Sequence, residues 1–85
     1  MDWRDLRIAL ALERHQSLAA AGRALGVDPT TVGRRIAVLE AGLGAALFVR
    51  AGEGWRPTEA GQRVVAHAAE MARQVRALGH AVGAV

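Results

Sequence analysis

At 85 residues the chain is one small domain, too short for two domains with a substrate cleft between them. Hydrophobic residues are 52% of it, but nineteen are alanine, there is no cysteine, and the three histidines do not fall at ligand spacing. Disulfides and thiolate zinc sites are therefore excluded, and a partner subunit is the expected support for a thin core. The net charge is +3 and all eleven basic residues are arginine, which permits nucleic-acid binding without establishing it.

Asp2 is placed to cap a first helix from about Trp3 to Arg14, with Trp3, Leu6 and Leu10 at helical spacing and Ile8 and Leu12 widening the apolar face. His15-Gln16-Ser17 breaks the pattern. Ser17 is a good N-cap for a short helix Leu18–Leu25, and Gly26 suits its end.

Asp28-Pro29 is the clearest start signal, since Asp caps well and proline at the first helical position loses an N–H that had no partner. The third helix is predicted over Pro29–Leu43, with Val32, Ile36, Leu39 and Leu43 as its buried stripe. Thr30, Arg34, Ala37 and Ala41 lie opposite that stripe; Thr31 and Arg35 lie to one side, Gly33 and Glu40 to the other.

Gly44 stops this helix. Leu47–Arg50 reads as a short strand, Ala51–Gly54 as a turn, and Trp55–Pro57 as a second strand, together a small wing. Pro57 donates no ladder hydrogen bond, so the strand ends there or lies at an edge. Thr58 caps a long fourth helix with Glu59 in its first turn. Val64, Ala68, Met71, Val75, Leu78, Val82 and Val85 follow at steps of 4, 3, 4, 3, 4 and 3, a heptad seam that asks for a partner.

The expected fold is therefore mainly α: a winged helix-turn-helix of three helices plus a two-stranded wing over residues 1–57, then a dimerisation helix over 58–85. The third helix would enter a DNA major groove, where base edges are distinguishable. Arg34 projects away from the core and can fork onto guanine or phosphate, while Thr30 and Thr31 can meet phosphates, bases or thymine methyls. Arg35 sits nearer the buried flank and has a rival partner in Glu40 or an acid on another helix. Ser17 is a cap first, although helix N-termini also bind phosphate.

Over residues 1–63 the order and spacing resemble the N-terminal DNA-binding domain of LysR-type transcriptional regulators. The stretches that carry the resemblance include Ser17–Ala21, Ala24–Val27, Thr31–Ile36, Leu39-Glu40, Leu43-Gly44, Leu47-Phe48, Arg50 and Thr58–Gly61. The resemblance implies sequence-specific double-stranded DNA binding by a homodimer joined through the linker helix. It places base contacts at Pro29, Thr30, Gly33 and Arg34. The family usually has Gln where Pro29 stands and often Ser where Gly33 stands, so side-chain hydrogen bonding shifts toward Thr30, Thr31, Arg34 and Arg35. In the wing a basic residue often stands where this chain has Glu53, whose carboxylate repels phosphate; Arg50 and Arg56 are the better candidates there. Trp55 stands where the family has an aliphatic residue, and Pro57 where it has leucine.

No Ser/His/Asp set, phosphate-cradling glycine loop or carboxylate pair stands out, so no enzyme, cofactor or small-molecule site is expected in this chain. His67 with Glu70 supplies two ligands at most, so no metal site is expected. No apolar run nears the roughly 20 residues of a membrane span, and Asp2 and Asp5 fall where a signal peptide is basic, so a cytoplasmic location is expected. One alternative stays open: a dimerisation or protein-interaction module that pairs through the 64–85 seam with another regulator and modulates it.

Overall fold

The computed structural model describes residues 1–83. Its elements run α1 (Trp3–His15), α2 (Leu18–Leu25), α3 (Pro29–Leu43), β1 (Phe48–Ala51), β2 (Gly54–Pro57) and α4 (Glu59–Ala81). This is a mainly helical winged helix-turn-helix with a two-stranded antiparallel wing and a long C-terminal helix.

Local chemistry explains most boundaries. Asp2 accepts the Arg4 N–H at 2.9 Å and starts α1; the Arg4 guanidinium also binds it and holds its carboxyl down at about 2. Ser17 Oγ accepts the Ala20 N–H at 3.0 Å to start α2. Asp28 holds the cap position of α3 without a side-chain cap bond, so Pro29 and the Asp28 carbonyl, which accepts the Val32 N–H at 3.1 Å, mark that start. Gln16 ends α1 in the left-handed region, an uncommon conformation for a residue with a Cβ. It is held there because its N–H reaches the Leu12 carbonyl and its own carbonyl accepts the Trp55 N–H at 2.7 Å.

The core gathers Leu6, Ile8, Ala9 and Leu12 of α1, Val32, Ile36 and Leu39 of α3, and Leu47 and Phe48 at the wing, with Ala21 and Ala68 completing it. Two expectations are corrected. Leu43 does not join the buried stripe: it is 39% exposed, because the last turn of α3 overhangs the core and with Met1 and Val38 edges an open hollow. Leu47 is not in the strand. Its N–H goes to Glu40 Oε2 at 2.7 Å and its carbonyl accepts the Thr58 N–H at 2.8 Å, so the ladder begins at Phe48. The ladder pairs Phe48 with Pro57, Val49 with Arg56, Arg50 with Trp55 and Ala51 with Gly54. Only Gly52 and Glu53 are left as the turn, with Gly52 at φ +62°.

Ala68 also departs from the seam expected of it. Its side chain has no exposure, and Val64 packs on the core beside it, so the apolar face of the first turns of α4 is covered within the chain. The exposed part of the stripe begins after them: exposure climbs from 40% at Met71 through Val75 and Leu78 to 68% at Val82. Val85 lies outside the described residues. A helix of 23 residues is about 35 Å long, which outruns the helices it packs on and stretches the domain to 43 Å.

Candidate nucleic-acid interface

The first two turns of α3 present one outer face. Pro29, Thr30 and Arg34 are exposed on it, and Arg34 makes no ion pair among the described residues. Thr31 and Gly33 are half-buried on the two flanks. The helix presents this face because Val32, Ile36 and Leu39 are pinned on the opposite side by α1 and the wing base. Gly26, at φ +73°, ends α2, and the short Val27-Asp28 link then sets α3 across it. The turn is tight because Gly22 of α2 has no side chain: a Cβ there would strike the Val27 carbonyl. Sequence reading had not singled out Gly22.

Arg35 stands apart from this face. Its Nε donates to Asp5 Oδ1 at 2.7 Å and its Nη2 to Asp5 Oδ2 at 2.8 Å, a fork-to-fork pair with a buried carboxylate of α1. The hydrogen bonds and charge of Asp5 push the guanidinium further into its protonated range. Two of its nitrogens are thus committed to holding α3 on α1, the role foreseen as its rival, and it leaves the outward-facing set.

Two ties fix the wing, one to α3 and one to the end of α1. Glu40 Oε2, on α3, accepts the Leu47 N–H at 2.7 Å and the Phe48 N–H at 3.4 Å. Gln16 takes the Trp55 N–H on the other strand, and Gly54 permits this approach, since a Cβ there would stand 2.9 Å from the Gln16 carbonyl. Opposed residues share a face of a hairpin, so the register puts Arg50 and Trp55 on one face and Val49 and Arg56 on the other. Arg50 lies over the Trp55 ring at 5.3 Å from its centroid. Trp55 lines a hollow with Leu18 and Gly33, so the Arg50 face is the one turned toward α3. The two wing arginines are therefore not brought together. Ser17 keeps its hydroxyl on the cap of α2, next to Gln16.

Among the described residues no group of three His, Cys, Asp or Glu side chains could hold a metal, and no helix is long and apolar enough to cross a membrane.

A short positioning helix, an arginine-bearing helix laid across it, and a wing tied to that second helix and to the end of α1 define a winged helix-turn-helix DNA-binding domain. Residues 3–62 match the family described as bacterial regulatory helix-turn-helix protein, lysR family. The chain belongs to that family. It is 44% identical over 59 residues to the Mau operon transcriptional activator of Paracoccus denitrificans, covering 69% of this chain and 21% of that protein. It is 37% identical over 82 residues to the HTH-type transcriptional regulator IlvY of Escherichia coli K12, covering 96% of this chain and 28% of that one. The chain thus spans about a quarter of the length of the curated relatives it matches. Among solved structures, the CbnR DNA-binding domain in complex with DNA superposes with a TM-score of 0.87 at 28% identity, covering 99% of this chain and 97% of that one. The BenM DNA-binding domain on catB site 1 DNA superposes with a TM-score of 0.91 at 25% identity, covering 98% and 92%.

Proposed function

We propose that this chain binds double-stranded DNA sequence-specifically, as a homodimer, and serves as the DNA-binding portion of a transcription regulator. The observation that carries this is the outer face of α3, where Arg34 stands exposed and unpaired beside Thr30 while the helix's other charged residues are tied, Arg35 to α1 and Glu40 to the wing. Phosphate contacts supply most of the affinity, and Arg34 with Thr30 supplies sequence preference. Thr31 is half-buried beside them and Pro29 gives only van der Waals contact, since it lacks both an N–H and a polar side chain. Arg50 is the wing residue placed to reach the backbone near α3, and Arg56, on the other face, meets it only at the rim of the site. The closely similar CbnR and BenM domains were solved on DNA, which supports the same mode here.

The second subunit is supported by the seam Met71, Val75, Leu78 and Val82, which stays exposed along α4. Two copies joined there would present two α3 helices to one side of a duplex.

Selection of preferred sites from random duplexes, followed by titration at several salt concentrations, tests the proposal. Binding should fall by about 10³–10⁵ between 50 and 200 mM salt if 6–10 phosphates are neutralised. Arg34→Ala should weaken binding and relax discrimination at one base position by about 1–3 kcal/mol. Duplex binding that is absent or indifferent to salt would refute it.

A further inference from the structure

Beside the recognition helix, on the flank away from the wing, lies an open cleft of about 410 Å³ between α1 and α3. Ile8, Leu25 and Val27 form its apolar side, and Arg4, Arg7 and Arg35 its cationic side, with the Asp5 carboxylate also in the wall. Arg4 is paired with Asp2 and Arg35 with Asp5, but Arg7 has no ion partner among the described residues, so the cleft carries one uncompensated positive charge. Thr31, in the first turn of α3, adds a hydroxyl to its wall.

Its position decides what it fits. Thr31 and Gly33 are two residues apart, about 200° around the helix, and so lie on opposite flanks of α3. The Gly33 flank meets Leu18 and Trp55 and hence the wing; the Thr31 flank meets the cleft. A helix in a major groove is bordered by a row of phosphates on each side, because the groove is only about 12 Å wide. The wing serves one row. The cleft faces the other, and a sugar-phosphate unit has the matching chemistry, an apolar deoxyribose face joined to an anion.

We propose that this cleft seats one sugar-phosphate unit of the DNA strand on the side of α3 away from the wing. Arg7 is its ion partner, the Thr31 hydroxyl a second donor, and Ile8, Leu25 and Val27 the surface against which the sugar rests. This rests on the DNA-binding proposal above but adds an arginine of α1, an element outside the helix-turn-helix, to the interface.

The test compares the full chain and its Arg7→Ala and Arg7→Lys variants on a selected duplex and on a scrambled one, between 50 and 200 mM salt. Removing one phosphate contact should make the salt slope shallower by about 0.9, so the fourfold rise in salt costs the wild type about 3.5-fold more affinity than Arg7→Ala. The loss should be equal on both duplexes, leaving discrimination unchanged, and Arg7→Lys should restore the slope. Replacing single phosphates by neutral methylphosphonates should find one position on the strand away from the wing that weakens the wild type and leaves Arg7→Ala unaffected. A folded Arg7→Ala with the wild-type slope, or with no such position, overturns the proposal while leaving the DNA-binding function intact. So does calorimetric binding of inorganic phosphate that depends on Arg7 without any change in the duplex slope, which would make this a site for a free anion. A wild type with no salt-dependent duplex binding overturns both, and is recognised by that alone.

Discussion

Arg35 of α3 and Asp5 of α1, thirty positions apart, meet through two parallel hydrogen bonds of 2.7 and 2.8 Å. The carboxylate is buried while the guanidinium keeps about a third of its surface in water. The asymmetry makes the partners unequal. Losing the arginine strands a buried anion, whereas losing the acid frees an arginine that can turn to solvent. Arg35→Ala is therefore expected to lower the denaturation midpoint more than Asp5→Ala does, and both more than Arg63→Ala, which breaks only the exposed pair with Glu59. Urea unfolding of the three variants gives the order directly. A second outcome follows from the released cation: Asp5→Ala should bind scrambled duplex more tightly than the wild type, because Arg35 becomes free to meet phosphate.

Glu40 joins the recognition helix to the wing by accepting the Leu47 and Phe48 N–H groups. Glu40→Ala leaves those donors unpaired beside the buried Leu47 and Phe48 and should cost about 1–3 kcal/mol. The loss is local, so amide exchange at Phe48–Ala51 should quicken more than exchange in α1. Uniform quickening through the chain would show that Glu40 supports the whole fold instead of aiming the wing.

Two glycines make opposite predictions. Gly61, in the first turn of α4, packs so closely on the Leu47 carbonyl that any Cβ would collide with backbone, and Gly61→Ala should abolish stable folding at ordinary temperature. At Gly33 a Cβ would meet nothing nearer than Leu18 Cδ1 at 3.6 Å, an ordinary contact. Gly33→Ser should therefore fold, with a gain of a few tenths of a kcal/mol from helix propensity. It also puts a hydroxyl on the wing-side flank of α3 and should tighten duplex binding. Thermal melts of both variants, with a duplex titration for Gly33→Ser, check the pair.

What was legible in the sequence was the part set by periodicity and caps. Ser17, Gly26, Pro29, Gly44 and Thr58 each mark an observed boundary, and the four-helix order with its wing followed from them. What escaped depends on distance across the fold. Leu43 continues the apolar stripe of α3 perfectly well, yet at the helix's overhanging end it stays 39% exposed. Leu47 looks like a strand residue, but Glu40 and Thr58 claim its backbone first. Asp5 carries no local sign of burial, and only the arrival of Arg35 explains it. Glu40 was placed on the right flank without its partner, since an acceptor for backbone N–H groups seven and eight positions on depends on how the chain turns back after Gly44.

The same limit applies to α4, where one heptad pattern serves two purposes. Ala68 has no exposure and packs inside the chain, while Leu78, ten residues on, is 64% exposed. Period alone cannot tell these apart, because both positions fall on the same stripe; the length of the helices beneath decides. Leu78→Glu should accordingly leave the folded domain intact, with far-UV dichroism and melting close to wild type at low concentration, while sedimentation shows a monomer in place of a dimer. Ala68→Glu should do the reverse and unfold the domain, since it forces a charge into a filled core. A dimer that survives Leu78→Glu would move the subunit contact off the Met71–Val82 seam. Loss of the dimer should also weaken binding to a two-half-site duplex far more than to a single half-site, because the second α3 then has to bind as an independent molecule.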